Sequence, residues 1–156
     1  MLREIAAERV SDVIRDAFLE ANTILPDDMH DLIRRSAAAE SSALGRSVLS
    51  EILENIDLAA RERTPICQDC GMAVVFMDIG QDVHIGGGSL ESAVDEGVRR
   101  AYRDGYLRAS VVSDPLFDRK NTKDNTPAVL HVRIVPGDLV RVAVRSEERR
   151  VGKECR

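Results

Sequence analysis

The chain has 156 residues, of which 44% are hydrophobic and 31% charged, with a formal charge of −5; that size and balance suit one soluble domain with a real core. Aromatics make up 3%, tryptophan is absent and no basic block occurs, so stacking platforms and phosphate tracks for nucleic acid are excluded. No apolar run approaches the roughly 20 residues of a membrane helix, and the charged N-terminus MLREIAAERVSDVIRD lacks the apolar centre of a signal peptide, so the expected location is the cytoplasm.

In chain order, Leu2, Ile5, Ala6, Val10, Val13, Ile14, Ala17 and Phe18 fall at helical spacing and predict a helix over 2–22. Pro26 interrupts it, and Asp27 can cap a second helix carrying Met29, Leu32 and Ile33. Ser41 or Ser42 opens a third, with Leu44, Val48, Leu49, Ile52, Leu53 and Ile56 as its expected buried stripe. Pro65 then restricts Thr64 to extended conformations.

After Gly71 the character changes. AVVFMDIG and DVHI read as short strands, and GGGS at 86–89 as a loop with Ser89 as N-cap. A fourth helix carries Leu90, Ala93, Val94, Val98, Ala101 and Tyr102 and ends near Gly105; ASVVSDP is extended. AVLHVRIV at 128–135 alternates with a period of two, and PGD turns it into LVRVAV, which predicts a hairpin. The expected class is α+β: N-terminal helices followed by a small mixed or antiparallel sheet with a packed helix.

The last twelve residues, Arg145 to Arg156, form a charged string without apolar periodicity. They resemble the in-frame translation of a sequencing-library adapter. The expectation is one domain over 1–144 that continues in the native protein, with 145–156 a non-native tail set aside from fold reasoning. A genuine solvated tail is the plainer alternative.

Cys67-Gln68-Asp69-Cys70-Gly71 is the strongest local signal. With Cys155 in the tail, an odd cysteine count and no secretory signal argue against a disulfide framework. Half a zinc site is one reading, but zinc needs two more ligands, and His84 and His131 lack partner spacing. A redox dithiol is a second, but it wants a helix after the pair, and a strand follows. A third makes Cys67 a single thiolate ligand of an iron–sulfur cluster. A polar loop with incidental cysteines is the bland alternative, and these stay open on local sequence.

Other motifs are weaker. GGGSL lacks the GK[ST] ending of a phosphate loop and reads as a flexible connection. Arg108, just past Gly105, could offer a bidentate fork to a carboxylate or be ordinary surface. Arg119, Lys120, Asn121, Thr122, Asp124, Asn125 and Thr126 make a dense polar loop, either a solvated turn or something more ordered. His131 is expected to pack locally and His30 to lie on a helix surface.

Taken as an ordered series, PICQDCG, HIGGGSLESAVDEGVR, GYLRASVVSDPL and RKNTKDNTPAVLH resemble the N-terminal part of the iron–sulfur hydro-lyases, the class I fumarase and L(+)-tartrate dehydratase alpha subunits. The similarity runs from the N-terminal helices to Val144. The resemblance implies Cys67 as a [4Fe-4S] ligand, with the other two cysteine ligands beyond this sequence. It implies Gln68 and Asp69 in contact with a dicarboxylate substrate and Arg108 on a substrate carboxylate. Asp69 would also be catalytic, handling a proton or orienting the leaving hydroxyl. The family has threonine where this chain has Cys70.

The implied activity is reversible dehydration of malate or tartrate. A beta subunit or fused beta domain and a homo-oligomer are the implied partners, and this piece alone should be inactive. Its rivals are a non-catalytic zinc module held by Cys67 and Cys70, and a helical interaction domain without metal.

Overall fold

A computed structural model describes residues 2–147. Its first element is a strand, not the start of a helix. β1 (Arg3–Ala6) pairs in parallel with β3 (Val83–Gly86), placing Ile5 opposite Ile85, and Arg3 N–H donates to Asp82 O at 2.8 Å. Arg-Glu-Ile-Ala is too short for periodicity to separate helix from strand, and the open edge of β3 decides it. Helix α1 (Ala7–Thr23) begins only at Ala7.

α1 buries Val10, Ile14 and Phe18 against Val94, Val98 and Ala101 of α4 (Leu90–Asp104). The crossing is close at Gly97, where an added Cβ would lie 2.7 Å from both Ile14 Cβ and Ser11 O. Ser11 Oγ donates to Ala93 O at 2.8 Å, tying the two helices together. Ser89 caps α4 as expected, accepting from Ser92 N–H, and Gly105 ends it.

α2 (Asp27–Ala39) and α3 (Ala43–Glu62) form a helical hairpin, with His30 Nε2 3.2 Å from Asp57 Oδ1 between them. Pro26, not Asp27, occupies the N-cap of α2, and Asp27 lies in the first turn. Ser42 caps α3 by accepting from Gly45 N–H. The buried stripe expected on α3 shrinks to Ile56, joined by Ala59, while Leu44, Val48 and Ile52 are exposed. Helical spacing shows that an apolar face exists; it does not show that a neighbour covers it.

The main sheet has the order β4-β2-β5, built from β2 (Met72–Gly80), β4 (Val129–Val135) and β5 (Val140–Glu147). β4 runs parallel to β2 and β5 antiparallel to it. The sheet is therefore mixed, within the expected α+β class, but the expected hairpin is not formed: the two strands joined by PGD lie on opposite sides of β2. The reason lies in β2, whose Ala73, Val75, Met77 and Ile79 are buried and whose backbone needs partners along both edges. The Pro136–Asp138 turn crosses the end of β2, where Gly80 N–H donates to Leu139 O and Gln81 N–H to Val135 O. A Cβ on Gly80 would sit 2.4 Å from Gly137 O, so the crossing requires glycine there.

β5 continues past Val144, pairing Arg145 with Val74 and Glu147 with Met72. The remainder of the segment set aside on sequence pattern, 148–156 with Cys155, lies outside the described residues. α1 and α4 cover one face of the sheet. On the other, His131 stacks on Phe76 with ring centroids 4.9 Å apart, and Arg133 forks Asp78 at 2.9 and 2.8 Å. Among the described residues no helix is long and apolar enough to cross a membrane.

Candidate functional site

The cysteine loop is built from both of its ends. Arg63 closes α3 in the left-handed conformation, φ 53°, and the chain turns out through Thr64 and Pro65. Ile66 is then held twice: its N–H donates to Asn22 O at 2.9 Å, and its carbonyl accepts from Asn55 Nδ2 at 2.9 Å. This anchors the segment to the end of α1 and to α3, and presents Cys67 at the surface. The Cys67 thiol is exposed and points to Asp69 O at 3.4 Å.

Cys70 behaves differently. It is 3% exposed, and its sulfur accepts the Arg108 N–H at 3.3 Å. Burial pushes this thiol above its ordinary range, and the Arg108 N–H works only partly against that. The following peptide is clasped from above: Tyr102 O–H donates to Cys70 O at 2.7 Å and to Gly71 O at 3.0 Å, and Ser146 Oγ also bonds Cys70 O. Burial raises the Tyr102 phenol to about 12.

The polar loop after α4 is an ordered scaffold rather than a solvated turn. Asn125 is fully buried; its Oδ1 accepts from Ser110 N–H at 2.9 Å and Val111 N–H at 3.1 Å, and its Nδ2 donates to Gly71 O at 3.1 Å. Burial would raise the neighbouring Asp124 carboxyl, but hydrogen bonds from Arg99 and Thr126 outweigh it and hold the group below its ordinary value. Arg99 Nε lies 2.9 Å from Asp124 Oδ2, so the loop is bolted to α4.

These supports leave an open cleft of about 620 Å³, lined by Cys67 and Gln68 from one segment, Tyr106 and Arg108 from another, and Asn55 and Cys70. The Arg108 guanidinium makes no ion pair among the described residues. Three of the four residues picked out from sequence thus share one cleft. Asp69 is exposed and is not among the cleft's lining residues. Asn55 and Tyr106 were given no role from sequence: Asn55 interrupts the apolar stripe of α3 between Ile52 and Ala59, and Tyr106 lies in the GYLR motif beside Arg108, so both carried a signal that was not used.

The donor set bears on what could bind. An exposed thiol in a polar cleft fits a single thiolate ligand to a larger inorganic group. Cys70 does not fit a second ligand, being buried with its sulfur already engaged. Among the described residues no three His, Cys, Asp or Glu side chains gather as a metal site, and His131 is stacked on the far face of the sheet. A self-contained zinc site at Cys67 and Cys70 therefore lacks its third and fourth ligands among the described residues.

Residues 11–147 match the family model described as fumarate hydratase (Fumerase). The chain belongs to the fumarate hydratase family. It is 34% identical over 118 residues to a protein of Methanocaldococcus jannaschii provisionally named L(+)-tartrate dehydratase subunit alpha, covering 75% of this chain and 41% of that protein. It is 32% identical over 140 residues to the aerobic class I fumarate hydratase of Escherichia coli K12, covering 86% of this chain and 25% of that enzyme. It is 27% identical over 124 residues to the L(+)-tartrate dehydratase subunit alpha of the same strain, covering 80% and 40%. The chain thus spans less than half the length of each of these fumarate hydratase family relatives.

Proposed function

We propose that this chain forms one wall of the active site of a hydro-lyase that reversibly dehydrates a hydroxy-dicarboxylate, malate or tartrate. The observation that carries the reading is the convergence of Cys67, Gln68 and Arg108 on one cleft from two segments far apart in sequence. A thiol able to hold an inorganic cofactor, a neutral amide and a guanidinium without an ion pair among the described residues are what a hydroxy-diacid asks for.

In this reading Cys67 holds a [4Fe-4S] cluster, its other cysteine ligands coming from outside these residues. Such a cluster, when bound, supplies an open iron that acts as a Lewis acid toward a hydroxyl group. Arg108 grips a substrate carboxylate through a bidentate fork and stabilises the charge that builds there as the adjacent proton leaves. Gln68, with both a donor and an acceptor, orients the hydroxyl end of the substrate. Asp69, next to Gln68 and exposed, is the carboxylate available to take a proton or to orient the departing hydroxyl. The enzyme works with a beta subunit or domain, self-associates and acts in the cytoplasm; the wall is not active alone.

The test is iron content and hydratase activity of the intact enzyme prepared without oxygen. Cys67→Ala should lose both. Arg108→Lys should keep the iron but lose catalytic efficiency by about a hundredfold, because an ammonium cannot fork a carboxylate. A Cys67→Ala enzyme with full iron and full rate would overturn the assignment.

A further inference from the structure

Arg108 lies between two anchored neighbours: Leu107 N–H donates to Tyr102 O at 3.0 Å, and Ala109 O accepts from Asn121 Nδ2 at 2.9 Å. Gly105 ends α4, Tyr106 follows at φ 53° with 91% exposure, and residues 107–111 belong to no strand. An arginine meant to meet one carboxylate at a fixed distance needs its own peptide fixed as well as its neighbours'. Among the described residues, the acceptor found for the Arg108 N–H is the sulfur of Cys70, 38 positions earlier in the chain and 3.3 Å away.

We propose that Cys70 is a positioning residue, its sulfur pinning the Arg108 backbone so that the guanidinium shares the cleft with Cys67 and Gln68. The proposal rests on the reading of Arg108 as the carboxylate-binding group. Two features of the surroundings support it. The peptide that carries the sulfur is tied down, because the Cys70 and Gly71 carbonyls are both bonded by Tyr102, and the Cys70 side chain is buried. Directly after Arg108, Asn125 links Ser110 and Val111 to Gly71. Segments 70–71 and 108–111 are therefore joined at successive points, and the sulfur contact is the one that falls on Arg108 itself. A cysteine serving only as core filler would need its shape and not its acceptor.

That difference is testable in the intact enzyme. Thr and Val have the same shape, but only Thr keeps an acceptor near the sulfur's place. In Cys70→Val, hydrogen exchange of the Arg108 amide, read by mass spectrometry, should quicken about tenfold or more, and in Cys70→Thr it should stay near the parent rate. kcat/KM for the dicarboxylate should fall about tenfold in Cys70→Val with iron content unchanged, and Cys70→Thr should restore it. If Val proves too bulky to fold, Cys70→Ala against Cys70→Ser gives the same contrast.

Equal Arg108 exchange in the acceptor-keeping and acceptor-lacking variants would overturn the proposal. So would a difference in exchange that leaves kcat/KM unmoved. An enzyme inactive on every hydroxy-dicarboxylate, in which Arg108 exchange still separates Val from Thr, would sink the functional reading and leave the sulfur pin standing.

Discussion

Asn125 has no solvent exposure and a left-handed backbone, φ 60°. Asparagine is among the few residues that tolerate this conformation, and here its side chain also satisfies two N–H groups and shares one carbonyl. Asn125→Ala leaves Ser110 and Val111 without that acceptor and adds a conformational penalty. It should cost about 2–4 kcal/mol in urea unfolding. Asn125→Gly removes the conformational part only and should cost about 1 kcal/mol less. Tyr102→Phe should be milder, about 1 kcal/mol, because Gly71 O keeps Asn125 and Cys70 O keeps Ser146. Asn125 was visible in the sequence only as one polar residue among many in the 119–126 loop. A side chain's hydrogen-bond partners lie far away in the chain, so composition cannot separate a solvated turn from a buried bolt. Cys67, Gln68 and Arg108, which meet in one cleft, were singled out by the ordered series of motifs and its family resemblance; local sequence alone left each of them open.

At the scale of elements, the helices were readable wherever a capping residue met an apolar period: Ser42 and Ser89 begin α3 and α4 as expected, and Gly105 ends α4. The strands were readable as strands but not in their pairing. β4 and β5 are neighbours in sequence, which favours a hairpin, yet β2 lies between them, and nothing local in VLHVRIV or VRVAVRSE encodes that. The closeness of α1 to α4 was likewise hidden in Gly97, which reads as a mere helix weakener. Alanine is the better helix former by about 1 kcal/mol, so propensity alone says Gly97→Ala stabilises. The crossing says the opposite, because the new methyl meets the Ser11 carbonyl at 2.7 Å, and backbone cannot rotate aside. Gly97→Ala should therefore destabilise by a net of about 1–3 kcal/mol, measured by urea unfolding. A gain in stability would mean the helices are further apart than described here.

On the scale of the whole molecule, two layers meet around one buried hydroxyl. α4 brings Tyr102 onto the Cys70–Gly71 peptide that leads into β2, so helix layer, cleft and sheet share a single phenol. That phenol makes the fold sensitive to alkali. Burial raises it from 10 to about 12; the folded state therefore holds the proton more tightly than the unfolded chain does. Its contribution is present in full below pH 10 and declines as pH rises from 10 through about 12. A rise of that size corresponds to about 2–3 kcal/mol. Cys70 acts in the same direction from its ordinary value of 9.0 upward, so the two must be separated. Tyr102→Phe removes the phenol and leaves the thiol. Urea midpoints taken between pH 9 and 12 should therefore fall more steeply for the parent than for Tyr102→Phe, so that the parent's lead narrows only above pH 10 and the two curves then cross. Parallel curves would mean that water reaches the phenol, and that the peptide carrying the cleft is less enclosed than its hydrogen bonds require.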